Sequence, residues 1–112
     1  MVATRLKQVL DGDLNGYINV VNLAELYCIL ARRSRTGVEE KERNLRGYGV
    51  KVVPVKARDR LWKEAATIKA NRAVSLADAF AAATAMGLKA RLVTGGDAEF
   101  DGMKGLEVER VG

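Results

Sequence analysis

Tyr17-Ile18-Asn19-Val20-Val21, followed at once by Asn22-Leu23-Ala24-Glu25-Leu26-Tyr27-Cys28-Ile29-Leu30, decides the fold class. The first five residues are β-branched and aromatic with partial alternation, which predicts a strand. Leu23, Leu26, Tyr27 and Leu30 then recur at helical spacing, so a helix with one apolar stripe follows directly. Asn22 stands where a helix cap is expected. A strand running into a helix with almost no connection is half of a β-α-β unit.

The chain on either side continues this alternation. Upstream, Leu6, Val9 and Leu10 predict a short helix over residues 3 to 11, and Asp11-Gly12-Asp13-Leu14-Asn15-Gly16 is turn chemistry. Downstream, the helix ends in the basic run Arg32-Arg33-Ser34-Arg35, and residues 37 to 47 predict a polar, solvent-facing helix. Val50 to Val55 reads as a second strand, with Pro54 marking an end or edge. Leu61, Trp62, Ala65, Ala66 and Ile68 mark another helix. An alanine-rich helix follows from Ser75 to Met86, closed by Gly87. Arg91 to Thr94 is a strand, then comes the loop Gly95-Gly96-Asp97, and Leu106 to Val111 is a final alternating strand. The expectation is one α/β domain over residues 1–112, with a mostly parallel sheet covered by helices in three layers.

Composition removes whole classes of chemistry. The chain of 112 residues has no histidine and one cysteine. That excludes Ser-His and Cys-His dyads, histidine-ligated zinc and an internal disulfide. Cys28 lies among Leu26, Ile29 and Leu30, so a small packed side chain is expected. The net charge of +5 suits a polyanionic partner such as RNA, and equally a charge-rich thermophile surface. No apolar run approaches the roughly 18 residues that span a bilayer, and the first residues lack the pattern of a signal peptide. A soluble, cytoplasmic chain with no membrane association is expected.

Carboxylates, metals, lysine or hydroxyls must therefore carry any chemistry. Glu25, Asp78 and Asp97 each follow a small polar residue by three positions, in Asn22-Leu23-Ala24-Glu25, Ser75-Leu76-Ala77-Asp78 and Thr94-Gly95-Gly96-Asp97. This is also capping-box spacing, so each acid alone has a structural explanation. Thr36-Gly37-Val38-Glu39 has the same spacing and is assigned no function. Two features favour function. Glu25 and Asp78 adjoin apolar faces, and Glu25 and Asp97 follow strands closely, where parallel sheets bind ligands. Carboxylates brought together repel unless a cation joins them, and Mg²⁺ or Mn²⁺ with oxygen ligands fills that role.

These residues carry a family resemblance. Ala65-Ala66-Thr67-Ile68-Lys69-Ala70 through Ser75-Leu76-Ala77-Asp78-Ala79-Phe80-Ala81-Ala82-Ala83-Thr84-Ala85 resembles the central motif of PIN-domain ribonucleases, and is similar to the VapC-type toxins of toxin–antitoxin pairs. Leu92-Val93-Thr94-Gly95-Gly96-Asp97-Ala98-Glu99-Phe100 resembles the family's strand-and-acid motif, with an extra glycine before the acid. Asn22 to Tyr27 resembles its first glutamate-bearing helix. The resemblance implies a PIN-like α/β/α fold. It places Glu25, Asp78 and Asp97 at the catalytic, metal-binding acid positions, with Thr94 beside them. It further implies Mg²⁺- or Mn²⁺-dependent cleavage of single-stranded RNA, a homodimer and a cognate antitoxin protein. PIN domains usually begin with a hydrophobic strand ending in an aspartate, and no stretch here matches it. The expectation is thus a PIN-like domain truncated at its N-terminus, with activity impaired by loss of the first acid.

Three other readings stay open at this stage. A catalytically inactive PIN-like scaffold would dimerise or bind RNA or protein, with Arg32, Arg33, Arg35, Arg43 and Arg46 as its electrostatic footprint. An EF-hand-like calcium loop over residues 11–22 matches at Asp11, Asp13, Asn15 and Gly16, but has Asn22 where a bidentate glutamate is needed. An anion cradle at Thr94-Gly95-Gly96 would set Asp97 against its own ligand.

Overall fold

The structure is a computed structural model of the whole chain, and it describes residues 11–33, 37–94 and 100–110. The elements run β1 (Tyr17–Asn19), α1 (Val20–Arg33), α2 (Val38–Gly47), β2 (Lys51–Val53), α3 (Leu61–Asn71), α4 (Leu76–Leu88), β3 (Leu92–Thr94) and β4 (Val108–Arg110). The expected helix over residues 3 to 11 lies almost wholly outside the described residues. The chain divides into two compact units, Met1–Val53 and Pro54–Gly112.

In the first unit, β1 and β2 pair in parallel, with Tyr17 opposite Lys51, Ile18 opposite Val52 and Asn19 opposite Val53. Parallel partners need a long crossover, and α1 and α2 provide it. Leu23, Leu26, Tyr27 and Leu30 of α1 line a crevice with Val38 and Leu45 of α2, so the stripe expected from helical spacing is the face that packs. Lys51 adds its ammonium 5.9 Å from the centre of the opposing Tyr17 ring.

Two local expectations in this unit are corrected. The strand stops at Asn19 rather than Val21, and the helix cap is Asn19 rather than Asn22. The Asn19 carboxamide oxygen accepts the Val21 N–H at 2.8 Å, which satisfies a donor of the first helical turn. This bond draws Val20 and Val21 into the helix despite their β-branched side chains. Cys28, expected to be packed, is exposed, because it lies on the outer side of α1, away from the stripe. The turn at Asp11 to Leu14 forms as expected, with Gly12 at φ +81°, a conformation that glycine adopts without strain.

The second unit holds most of the buried side chains. Ala79, Phe80, Ala82, Ala83 and Ala85 of α4 are buried, together with Ala65 of α3, Val74 and Phe100. Alanines on both packed helices keep their axes close, and Phe80 and Phe100 fill the remaining space. Thr84 is buried among them because its hydroxyl donates to the Phe80 carbonyl at 2.7 Å. The helix runs through Gly87, expected to close it, and ends at Leu88. Lys89 adopts the left-handed conformation at φ 53°. Ala90 N–H reaches the Ala85 carbonyl at 2.8 Å, and Lys89 N–H the Met86 carbonyl at 3.2 Å. This is a Schellman ending with lysine in the position that glycine usually takes.

β3 and β4 also pair in parallel, with Leu92, Val93 and Thr94 opposite Val108, Glu109 and Arg110. The fold is therefore α/β with short parallel strands, as expected. Among the described residues the strands form two two-stranded ladders, one in each unit, where one continuous sheet was expected. No helix among the described residues is long and apolar enough to cross a membrane.

Candidate metal and nuclease site

Asp78 sits in the first turn of α4, and the local sequence explains why it is there. Ser75 takes an extended conformation at the cap, and its Oγ accepts the Asp78 N–H at 3.1 Å. This is half of a capping box. The Asp78 carboxylate, which would complete the box by accepting the Ser75 N–H, makes no hydrogen bond or ion pair among the described residues. The capping explanation therefore accounts for the backbone at this position and leaves the carboxylate uncommitted. Asp78 is half-buried, beside the buried Ala79 and Phe80.

Glu25 lies deeper in its helix than the spacing suggested. Because α1 starts at Val20, Glu25 is in the second turn rather than the first. It cannot accept from a cap residue, and Asn19 already holds that role. The structural alternative for Glu25 is thereby removed. Its side chain is exposed and makes no ion pair among the described residues.

Thr94 is the last residue of β3, half-buried, at the carboxyl end of a parallel strand. Its register partner Arg110 is ion-paired to Asp101, while the Asp101 carbonyl accepts from the Arg72 guanidinium at 2.6 Å. Arg91 holds Glu109 at 3.0 Å on the same ladder. The cations beside Thr94 are thus already balanced by carboxylates, which weakens the anion-cradle reading. Asp97, together with Gly95 and Gly96, lies outside the described residues.

Of the expected set, Asp78 and Thr94 belong to the second unit and Glu25 to the first. No group of three or more histidine, cysteine, aspartate or glutamate side chains forms among the described residues. The donors that are described suit a hard divalent cation. Glu25 and Asp78 are carboxylates, neither committed to a neighbouring cation, and oxygen donors of this kind match Mg²⁺ or Mn²⁺.

Asn19 is a residue that the sequence reading passed over. It is 2% exposed, at the carboxyl end of β1 and the start of the helix that bears Glu25. Its signal was present: an amide residue ending a β-branched run and preceding an apolar helical stripe. The basic footprint is also modified, since Arg46 is engaged by Glu42 at 3.0 Å and Arg35 lies outside the described residues.

Comparison with known families gives a match over most of the chain. The model described as PIN domain covers residues 3–106, a span that includes Glu25, Asp78, Thr94 and Asp97. No curated protein matches the chain.

Proposed function

The chain belongs to the PIN-domain family, a superfamily of nucleases, and from that premise we propose that it is a metal-dependent endoribonuclease of the VapC toxin type, acting on single-stranded RNA. The observation that carries the proposal is the uncommitted carboxylate of Asp78, held on the first turn of α4 by a cap that uses only its backbone. The freeing of Glu25 from any capping role supports it further.

In this reading Glu25, Asp78 and Asp97 bind the ion, and Thr94 is their polar neighbour at the end of β3. A bound Mg²⁺ or Mn²⁺ supplies a water of lowered pKa and neutralises charge on the scissile phosphate. Asp78 would hold the ion from the first turn of a helix whose core packing fixes its position. With no histidine in the chain, proton transfer falls to a carboxylate or to solvent.

The toxin-type reading brings a cognate antitoxin protein and a homodimer as proposed partners. None of the fourteen residues of α1 is buried, and Ile29 stands exposed on it, a surface that a partner chain would cover. The test incubates the full chain with labelled single-stranded RNA in Mn²⁺ or in EDTA. Cleavage in Mn²⁺ that stops in EDTA supports the proposal. Salt-sensitive binding without cleavage would replace it with a non-catalytic scaffold.

A further inference from the structure

The segment from Lys56 to Lys63, wholly within the second unit, carries four cations, the one acid Asp59 and an exposed indole. Lys56, Arg58, Arg60 and Lys63 are all exposed. Arg60 faces Glu64 at 3.9 Å, with both side chains largely in water, so that pair is weak. Lys56 and Arg58 face no carboxylate partner among the described residues.

Trp62 lies within this segment. It is the only tryptophan of the chain and is 39% exposed. Its Nε1–H donates to the Ala57 carbonyl at 2.8 Å. That bond ties the polar edge of the ring to the preceding loop and fixes the plane of the indole. The Lys63 ammonium lies 5.4 Å from the ring centre. Core packing does not explain the ring, which remains in contact with water. An exposed, clamped aromatic ring in a segment that carries four cations to one acid offers what proteins use to hold single strands without reading sequence: bases stack on the ring, and phosphates meet the cations. An acidic peptide would use the cations and leave the ring without a role.

The geometry points to Trp62, with Lys56, Arg58 and Arg60, as a stacking and phosphate-binding surface for single-stranded RNA. This deepens the nuclease reading and rests on it for the choice of RNA as ligand. None of these four residues is one of the proposed metal-binding acids, so binding and cleavage can be measured apart.

The test uses the full chain in EDTA, where metal-dependent cleavage is silent, titrated with a short oligouridylate. Saturable quenching of the single tryptophan's fluorescence is expected. By fluorescence anisotropy of the labelled RNA, Trp62→Ala weakens binding about tenfold. Trp62→Phe keeps an aromatic face but loses the N–H, and it retains most of the affinity, which separates stacking from the loop clamp. Lys56→Ala with Arg58→Ala lowers the salt dependence of log K by about 0.7 for each lost phosphate contact. Circular dichroism of each variant checks that the fold is kept. Absence of quenching while Mn²⁺-dependent cleavage proceeds would overturn the surface and leave the nuclease reading intact. Equal quenching by polyglutamate would also overturn it, in favour of an acidic protein. Quenching by RNA with no cleavage in Mn²⁺ would uphold the surface while the nuclease reading fails.

Discussion

Ser75 Oγ accepts the backbone N–H of Asp78 at 3.1 Å, while the Asp78 carboxylate is not engaged by Ser75 in return. One residue fixes where the helix begins, and the other is left with a carboxylate available for a cation. The two roles separate by mutation. Ser75→Ala should cost roughly 1 kcal/mol of stability through loss of the cap, read as a lower denaturant midpoint, with cleavage reduced only modestly. Asp78→Asn should leave the midpoint nearly unchanged and lower metal-dependent cleavage by about 100-fold or more, the scale on which loss of transition-state charge stabilisation acts.

Glu25 supplies a contrasting case. It is exposed in the second turn of α1 with no cap or ion pair to lose among the described residues. Glu25→Gln should therefore change stability by no more than about 0.5 kcal/mol, while cleavage falls as for Asp78→Asn. A large loss of stability would instead assign Glu25 a structural role.

Asn19 is predicted to be the costlier residue to the fold. It is buried, and its side chain caps α1 through Val21 N–H. Asn19→Ala should destabilise by about 1 to 2 kcal/mol, with Asn19→Asp milder because a carboxylate can still accept at the helix start. Urea unfolding of the three proteins measures the order.

Phe80 tests where the core lies. It is buried on α4 among alanines that cannot expand to fill a void. Phe80→Ala should cost about 3 to 5 kcal/mol, while Trp62→Ala at the exposed end of α3 should cost much less. Thermal unfolding by circular dichroism distinguishes them.

How far the sequence foretold this structure differs from residue to residue. The stripe Leu23, Leu26, Tyr27 and Leu30 is legible because helical spacing records one packed face, and those half-buried residues line the crevice against α2. The start of that helix was misplaced by three residues. Val20 and Val21 have strand-forming side chains, and the Val21 N–H that the Asn19 carboxamide oxygen accepts holds them in the first turn, a bond that composition does not reveal. Gly87 was read as a stop on propensity, whereas Lys89 takes the left-handed position and its strain is offset by two backbone bonds. Cys28 was placed inside by its apolar neighbours, although its angular position on the helix puts it outside. Asp78 and Thr94 stand out in the sequence as candidate oxygen donors. Their hydrogen-bond status, which separates a cap from an available ligand, is a property of coordinates alone. Asp97 falls outside the described residues, so its place in the set rests on the family motif.

The proposed function turns on Glu25 and Asp78 serving one divalent ion, an assignment that comes from the family motif. Calorimetric titration of Mn²⁺ into the full chain, and into Glu25→Gln, Asp78→Asn and the double variant, tests it most directly. The account predicts saturable binding by the parent chain, its loss or strong weakening in each single variant, and no comparable further loss in the double variant, since removing either ligand already breaks the site. Binding unchanged in both single variants, or two losses that simply add, would contradict it.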